Sequence, residues 1–328
     1  MNSYKPPYTI TSKMLSLATS IGEELTKIEF DTNKIITPML RKKNRIKTLA
    51  GTLEIEGNFM GEEKITAILD GKRVLGTYQE VLEVEGAINS YKEFENYRYD
   101  SLDDLLKAHK ILMNDILTTA GSFRGINVGV GSKEGVSHVA PPYGVVPNLM
   151  RDLFEWLKNS DEHILIKSCV FHYEFEFIHP FSDGNGRIGR LWQSVILYHW
   201  RKVFNASPTE SIIRDNQDRY YKALEDSGNL GESTPFIEFM LEVILVTIKS
   251  SVKSSVKSSV NTEDKILEHI KQNSKITIKE LAILLDLTTR AIEKQMANLK
   301  KEGKLKRMGS SRKGYWEVID EILKDNNA

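Results

Sequence analysis

Apolar side chains recur at spacings of three and four along most of this 328-residue chain, and that period restricts it to packed helices. Leu102, Leu105, Leu106, His109 and Leu112 make one stripe, and Leu149, Leu153 and Leu157 make another. Trp192, Val195, Ile196, Tyr198, His199 and Trp200 crowd most of a helix surface, which predicts a helix buried on nearly every side. A further helix opens at Thr234, a capping residue, and Pro235, whose fixed φ suits a first turn, and runs through FIEFMLEVILVTI. The expected fold class is mainly α.

One stretch departs from the pattern. Between Ile126 and Pro142, Gly129, Gly131 and Gly135 lie among Val128, Val130, Val136 and Val139 ahead of a Pro-Pro pair, which predicts a short β-hairpin. Further on, Val-Lys-Ser-Ser repeats through residues 250–261 with too little apolar mass to pack. That composition reads as a linker, unless its valines extend the preceding helix. A chain of this length holds roughly two domains. The divisions expected are a helical N-terminal region over 1–95, a helical core over 96–249, the linker over 250–261 and a small domain over 262–328.

Composition narrows the class of partner. Lys plus Arg and Asp plus Glu both number 45, so no global charge draws the chain to nucleic acid or membrane, and any such binding is local. The longest apolar stretch, Phe239–Ile248, covers about half a bilayer and contains Glu242. The opening residues MNSYKPPYTI lack the apolar core of a signal peptide, so the cytoplasm is the expected location and no membrane partner is expected. Cys169 has no disulfide partner within the chain and sits in an apolar run, as a small core residue does.

The densest chemistry lies in residues 179–190, His-Pro-Phe-Ser-Asp-Gly-Asn-Gly-Arg-Ile-Gly-Arg. A histidine can take a proton near neutral pH, a carboxylate can hold Mg²⁺, and glycines that open a helix aim free N–H groups at an anion. Arg187 and Arg190, three apart, can reach one ligand from one helical face and suit phosphate oxygens. The run also satisfies the dinucleotide pattern G-x-G-x-x-G. However, the polar segment His179–Asp183 separates it from the alternating aromatics Phe171, Tyr173, Phe175 and Phe177, and helices follow it. The phosphate loop ending in Gly-Lys-Ser/Thr does not occur. His172, Glu174, Glu176 and His179 could form a zinc set, although Pro180 favours a loop position for His179, and His172 lies among aromatics. Asp-Gly-Asn-Gly by itself is turn chemistry; the histidine and two arginines around it ask for more.

These residues resemble the signature of Fic-domain AMP transferases, His-x-Phe-x-Asp/Glu-Gly-Asn-Gly-Arg-x-x-Arg, at every fixed position. The resemblance implies that His179 deprotonates a Ser, Thr or Tyr hydroxyl of a target protein, which attacks the α-phosphate of ATP. It implies Asp183 as the ligand of Mg²⁺, Asn185 as a contact of the α-phosphate and Phe181 as the anchor of the loop. Gly184, Asn185, Gly186, Arg187, Ile188, Gly189 and Arg190 would together cradle the nucleotide, with the arginines on the β- and γ-phosphates. By the same resemblance the hairpin over 126–142 is a flap on which a target segment adds as a strand, and Gly135, Val136, Ser137 and His138 lie close to the nucleotide. Tyr220 and Tyr221 are either walls of the adenine pocket or core aromatics.

Thr52-Leu-Glu-Ile-Glu-Gly resembles the inhibitory motif (Ser/Thr)-x-x-x-Glu-(Gly/Asn) found near Fic cores. The resemblance implies that Glu56, in a motif opened by Thr52, pairs with Arg190 and keeps the γ-phosphate from its productive position. One guanidinium cannot serve a carboxylate and a phosphate at full strength in the same fork geometry. The plain alternative is a solvent-facing helix glutamate.

Beyond the linker, Ile266, Leu267 and Ile270, then Ile278, Leu281 and Ala282, then Ala291, Ile292, Met296 and Leu299 form three helical stripes, followed by strand-like KLKRM and GYWEV around the basic turn GSSRK. This resembles a winged helix-turn-helix domain with Thr288–Lys301 as the recognition-type helix and Gly309–Gly314 as the wing. In a DNA-binding version Thr288, Thr289, Arg290 and Lys294 approach the groove, and Arg312 and Lys313 contact phosphates. Residues 262–328 hold 14 Lys and Arg against 11 Asp and Glu, a modest excess, so DNA and a protein partner both remain open, as does a homo-oligomer. The function expected is a self-inhibited, Mg²⁺-dependent protein adenylyltransferase acting on target proteins and on itself. The alternative is a nucleotide-sensing transcriptional regulator working through the winged helix.

Overall fold

Local caps cut the helical periodicity into discrete elements. The computed structural model describes residues 4–35, 38–132, 135–285, 287–309 and 314–319. The chain runs as α1 (Ser12–Ile35), α2 (Pro38–Ile55), α3 (Gly61–Leu69), α4 (Tyr78–Lys92) and α5 (Leu102–Leu112), then the hairpin β1 (Gly129–Ser132) and β2 (Gly135–Val139). It continues as α6 (Val146–Asn159), α7 (Ile164–Ile178), α8 (Asn185–Trp200), α9 (Thr209–Asp215), α10 (Gln217–Leu230) and α11 (Thr234–Gln272), and ends with α12 (Ile278–Leu284), α13 (Thr289–Lys301), β3 (Leu305–Met308) and β4 (Tyr315–Val318). At the start of α4 the Thr77 hydroxyl accepts the Glu80 N–H while the Glu80 carboxylate accepts the Thr77 N–H, so two otherwise orphaned donors are satisfied. Ser101 caps α5 by accepting the Asp104 N–H.

Two compact units result, Met1–Ser251 and Val252–Ala328. The N-terminal region over 1–95 and the core over 96–249 therefore share one unit. Residues 250–261, expected as a linker, are helical and belong to α11. The Val-Lys-Ser-Ser repeat contains no Gly or Pro to stop a helix already propagating from FIEFMLEVILVTI, so the extension of the preceding helix is the outcome.

In the first unit α7 and α8 pack at the centre. Ile188, Leu191, Trp192, Val195 and Ile196 of α8 are all fully buried, as the crowded surface of that segment predicts. Each such side chain contributes about 1.5–3 kcal/mol relative to exposure. The two helices come close because Gly189 has no side chain: a Cβ there would lie 2.7 Å from Glu176 Oε1 and 3.2 Å from Phe175 Cδ1. A second close approach lays α2 on α9, where a Cβ on Gly51 would lie 2.7 Å from the Ser211 nitrogen. The hairpin β1–β2 is antiparallel, with Gly129 opposite Val139 and an irregularity between Val130 and Gly131.

The second unit is a winged helix. Ile266, Ile270, Leu281, Ile292, Leu299 and Trp316 meet in its core, and β3 pairs antiparallel with β4 from Leu305 opposite Val318 to Met308 opposite Tyr315. Thr288 caps α13 by accepting the Ala291 N–H. Thr288, Thr289 and Arg290 are exposed, whereas Arg312 and Lys313 of the wing lie outside the described residues. No described helix is long and apolar enough to cross a membrane.

Candidate active site at the junction of α7 and α8

The site is a loop that interrupts two buried helices. His179 ends α7 in the left-handed conformation (φ 49°, ψ 61°), its N–H donating to the Phe175 carbonyl at 2.9 Å. A residue with a Cβ costs about 1 kcal/mol there, so its surroundings must hold it. Pro180 prevents the helix from continuing. At the other end Gly184 has φ 81°, and a Cβ on it would lie 2.8 Å from Met113 Sδ, so both its backbone and its space demand glycine.

Three contacts lock the loop. Phe181 is fully buried and stacks on His109, with ring centroids 3.6 Å apart and 5° between planes. The Gly121 N–H donates to His109 Nδ1 at 2.8 Å, which places the ring proton on Nε2, and Nε2 donates to the Asp183 carbonyl at 3.0 Å. Burial pushes this imidazole down to about 4, against the pull of its Asp183 hydrogen bond, so it serves the loop as a neutral ring. Asn185 uses both ends of its amide on Phe181, accepting the N–H and donating to the carbonyl, each at 2.9 Å. The Asn185 side chain is buried and closes the loop through these two bonds, whatever further contact its second amide hydrogen makes.

Past the loop, the start of α8 carries Arg187 and Arg190. Arg187 is 4 % exposed, its Nη2 lies 3.6 Å from Asp183 Oδ1, and its Nε and Nη1 are buried with no hydrogen-bond partner among the described residues. Arg190 donates from Nε to the Thr52 hydroxyl at 3.1 Å and from Nη2 to the Thr52 carbonyl at 3.2 Å and to Glu56 Oε1 at 2.7 Å. Burial alone would raise the Glu56 carboxyl, but the charge and hydrogen bond of Arg190, with Arg187 and His179 nearby, hold it below the usual carboxylate range. The same carboxylate lies over Gly186, where a Cβ would be 2.5 Å from Glu56 Oε1 and 2.9 Å from Arg190 Nη1. Glu56 thus lies past the end of α2 and pairs with Arg190 while a third of its side chain, 34 %, stays open to solvent. It reaches from the turn after α2 to the N-terminal end of α8.

The remaining candidates separate. Asp183 is 59 % exposed at the side chain, its Oδ1 accepting the Gly184 N–H at 2.6 Å. Among the described residues no three His, Cys, Asp or Glu side chains gather as a metal cage, and Asp183 presents one exposed carboxylate of the kind that could hold Mg²⁺. Ile188 is buried in the core and Gly189 lies against α7, where both shape α8. Tyr220 is buried, its hydroxyl donating to His172 Nε2 at 3.1 Å, and packs on Phe236; it is a core aromatic. Tyr221 is 48 % exposed beside it and remains available as a wall. His172 donates from Nδ1 to Gln193 Oε1 at 2.7 Å, so both its nitrogens are used inside the core and the zinc set does not form. Gly135, Val136, Ser137 and His138 have their backbone on β2, and their side chains lie outside the described residues. Residue patterns alone left His109 and Arg124 without a role in the loop, and offered Glu176 only as a zinc ligand. His109 sat within an apolar stripe, its only signal being a polar member of that stripe, and Arg124 looks like any solvated arginine. Glu176 is a carboxyl that burial raises to about 7, against Arg190 and with Glu56.

A helical core whose two central helices meet in a basic, glycine-opened loop defines the class, and the comparisons agree with it. A family model described as the Fic/DOC family matches residues 99–197, and one described as winged helix-turn-helix DNA-binding matches residues 262–306. The solved structure of a Fic family protein from Desulfovibrio desulfuricans is 36 % identical, covers 97 % of this chain and 99 % of its own, and superposes with a TM-score of 0.75. The chain belongs to the Fic family. It is also similar to protein adenylyltransferase fic-1 of Caenorhabditis briggsae, 26 % identical over 70 % of this chain and 45 % of that protein. Protein adenylyltransferase Fic of Nematostella vectensis is 30 % identical over 66 % of this chain and 53 % of that protein. The chain spans about half the length of these curated relatives.

Proposed function

We propose that this protein is an adenylyltransferase that moves AMP from ATP onto a Ser, Thr or Tyr hydroxyl of target proteins and of itself. Arg187 carries the reading: a buried guanidinium with two unpartnered nitrogens calls for an anion, and it stands in the first turn of a helix that begins six residues after His179. The N–H groups of that turn and Arg190 complete a cradle for phosphate oxygens. In the transfer the acceptor hydroxyl gives its proton to His179, its oxygen bonds to the α-phosphorus, and the bond from that phosphorus to the β-bridging oxygen breaks, releasing pyrophosphate. Mg²⁺ held at Asp183 would supply neutralising charge to the phosphates. The hairpin offers an unpaired strand edge for the acceptor segment. Glu56 acts as a brake by occupying Arg190. The names of the two curated relatives support the activity, and the cytoplasm is the setting that supplies ATP.

Mass spectrometry of lysate treated with Glu56→Gly protein and isotopic ATP tests the reading. Proteins carrying an added AMP are the expected result; bound nucleotide with no covalent adduct refutes it. The second reading, nucleotide sensing coupled to DNA binding, is favoured by the exposure of Thr288, Thr289 and Arg290 at the start of α13. Filter binding across a salt series separates the two partners of the winged helix: affinity for DNA that falls with salt supports DNA, and its lack supports a protein.

A further inference from the structure

Outside the motif, Arg124 joins more of the site's backbone than any residue so far described. It is 2 % exposed, in the segment between α5 and β1. Its Nε donates to the His179 carbonyl at 2.8 Å, its Nη1 to the Ile126 carbonyl at 2.8 Å, and its Nη2 to the carbonyls of Pro141 and, at 3.3 Å, Ile178. Its own N–H donates to the Pro180 carbonyl at 2.9 Å. One planar fork thus grips the end of α7, the approach to β1 and the segment after β2. All these acceptors are neutral carbonyls. A buried cation gains less from them than from a carboxylate, and desolvation works against it, so stability alone is a poor reason for an arginine here.

The geometry points to Arg124 as a positioning residue for the transfer: it ties the backbone of His179 to both stems of the hairpin, so that the imidazole and the strand edge that receives an acceptor segment keep one register. This rests on the reading of His179 as base and of the hairpin as docking edge. A base must reach the hydroxyl it deprotonates within about 3 Å, while a strand added to a sheet edge can slip in steps of about 3.3 Å per residue. Were loop and hairpin anchored separately, their drifts would add. His179 has a further need for such a hold, because its left-handed backbone is uphill for a residue with a side chain.

The test uses the full chain with Glu56→Gly as the parent. Arg124→Lys keeps the charge and most of the length, but an ammonium presents its donors from one atom and cannot span the fork. The turnover number for auto-modification should fall about a hundredfold, as a misplacement on the order of 1 Å does, with the calorimetric affinity for ATP unchanged. Hydrogen exchange should rise together in residues 126–132 and 178–184. In Arg124→Ala, added guanidinium should restore part of the rate. Unchanged turnover, an ATP affinity that falls in step with turnover, or an exchange increase confined to one of the two segments overturns the assignment. If the parent itself transfers no AMP, the adenylyltransferase reading fails instead, and the paired exchange response alone decides for or against Arg124 as the tie.

Discussion

Glu56 Oε1 lies 2.7 Å from Arg190 Nη2 although 134 positions separate the two residues in sequence. The contact takes a carboxylate from the C-terminal end of α2, where it opposes the helix dipole, and places it over the N-terminal end of α8, where it is favoured. A phosphate would occupy that region for the same reason. Replacing Glu56 with Gly should therefore raise auto-modification from α-labelled ATP by about 10- to 100-fold, the equivalent of one charge-assisted hydrogen bond of about 1.5–3 kcal/mol. Labelling that stays at the wild-type level removes the brake.

Gly186 gives the complementary test. Its missing Cβ is the space that Glu56 Oε1 and Arg190 Nη1 share, so a methyl group there fills the cradle whether or not Glu56 is present. Gly186→Ala, made in the Glu56→Gly background, should weaken ATP binding about 10-fold or more by calorimetry, as an overpacked site costs about 1–3 kcal/mol. Retained affinity would place the phosphates elsewhere.

His179→Ala separates chemistry from binding. The imidazole is assigned to the acceptor's proton and not to the nucleotide, so single-turnover transfer should drop by about 100-fold or more while ATP affinity stays level. Equal loss of both would recast His179 as a nucleotide ligand.

His109 makes the loop sensitive to acid. Its imidazole titrates near 6.5 when unfolded and near 4 when folded, so the unfolded chain takes up the proton first as pH falls. The stability it contributes is complete above about pH 6.5, declines between there and about pH 4, and the full loss is about 3 kcal/mol. Buried His172, pushed down to about 3, acts in the same direction in both proteins compared. Urea unfolding of wild type and His109→Gln at pH 7, 5.5 and 4 should show the shallower decline in the variant; parallel declines would assign the acid sensitivity to other groups.

What could be read along the chain was whatever is written in contiguous spacing. The helical class follows from apolar residues three and four apart, the hairpin from clustered Gly and Val, and the site from twelve adjacent residues whose chemistry and resemblance agree. The stripes of the winged helix are of the same kind. What folding alone decided is which distant groups meet. Tyr220 and Tyr221 are adjacent and chemically identical, yet packing buries one against His172 and leaves the other half exposed. Asn185, read as a phosphate contact, is held by Phe181 four residues away, and Arg124 and His109 join the site only because three separate segments converge on the loop. A buried polar side chain and a solvated one are the same letter. The difference between them is the set of partners that desolvation obliges each to find, and those partners are brought near only by the tertiary structure.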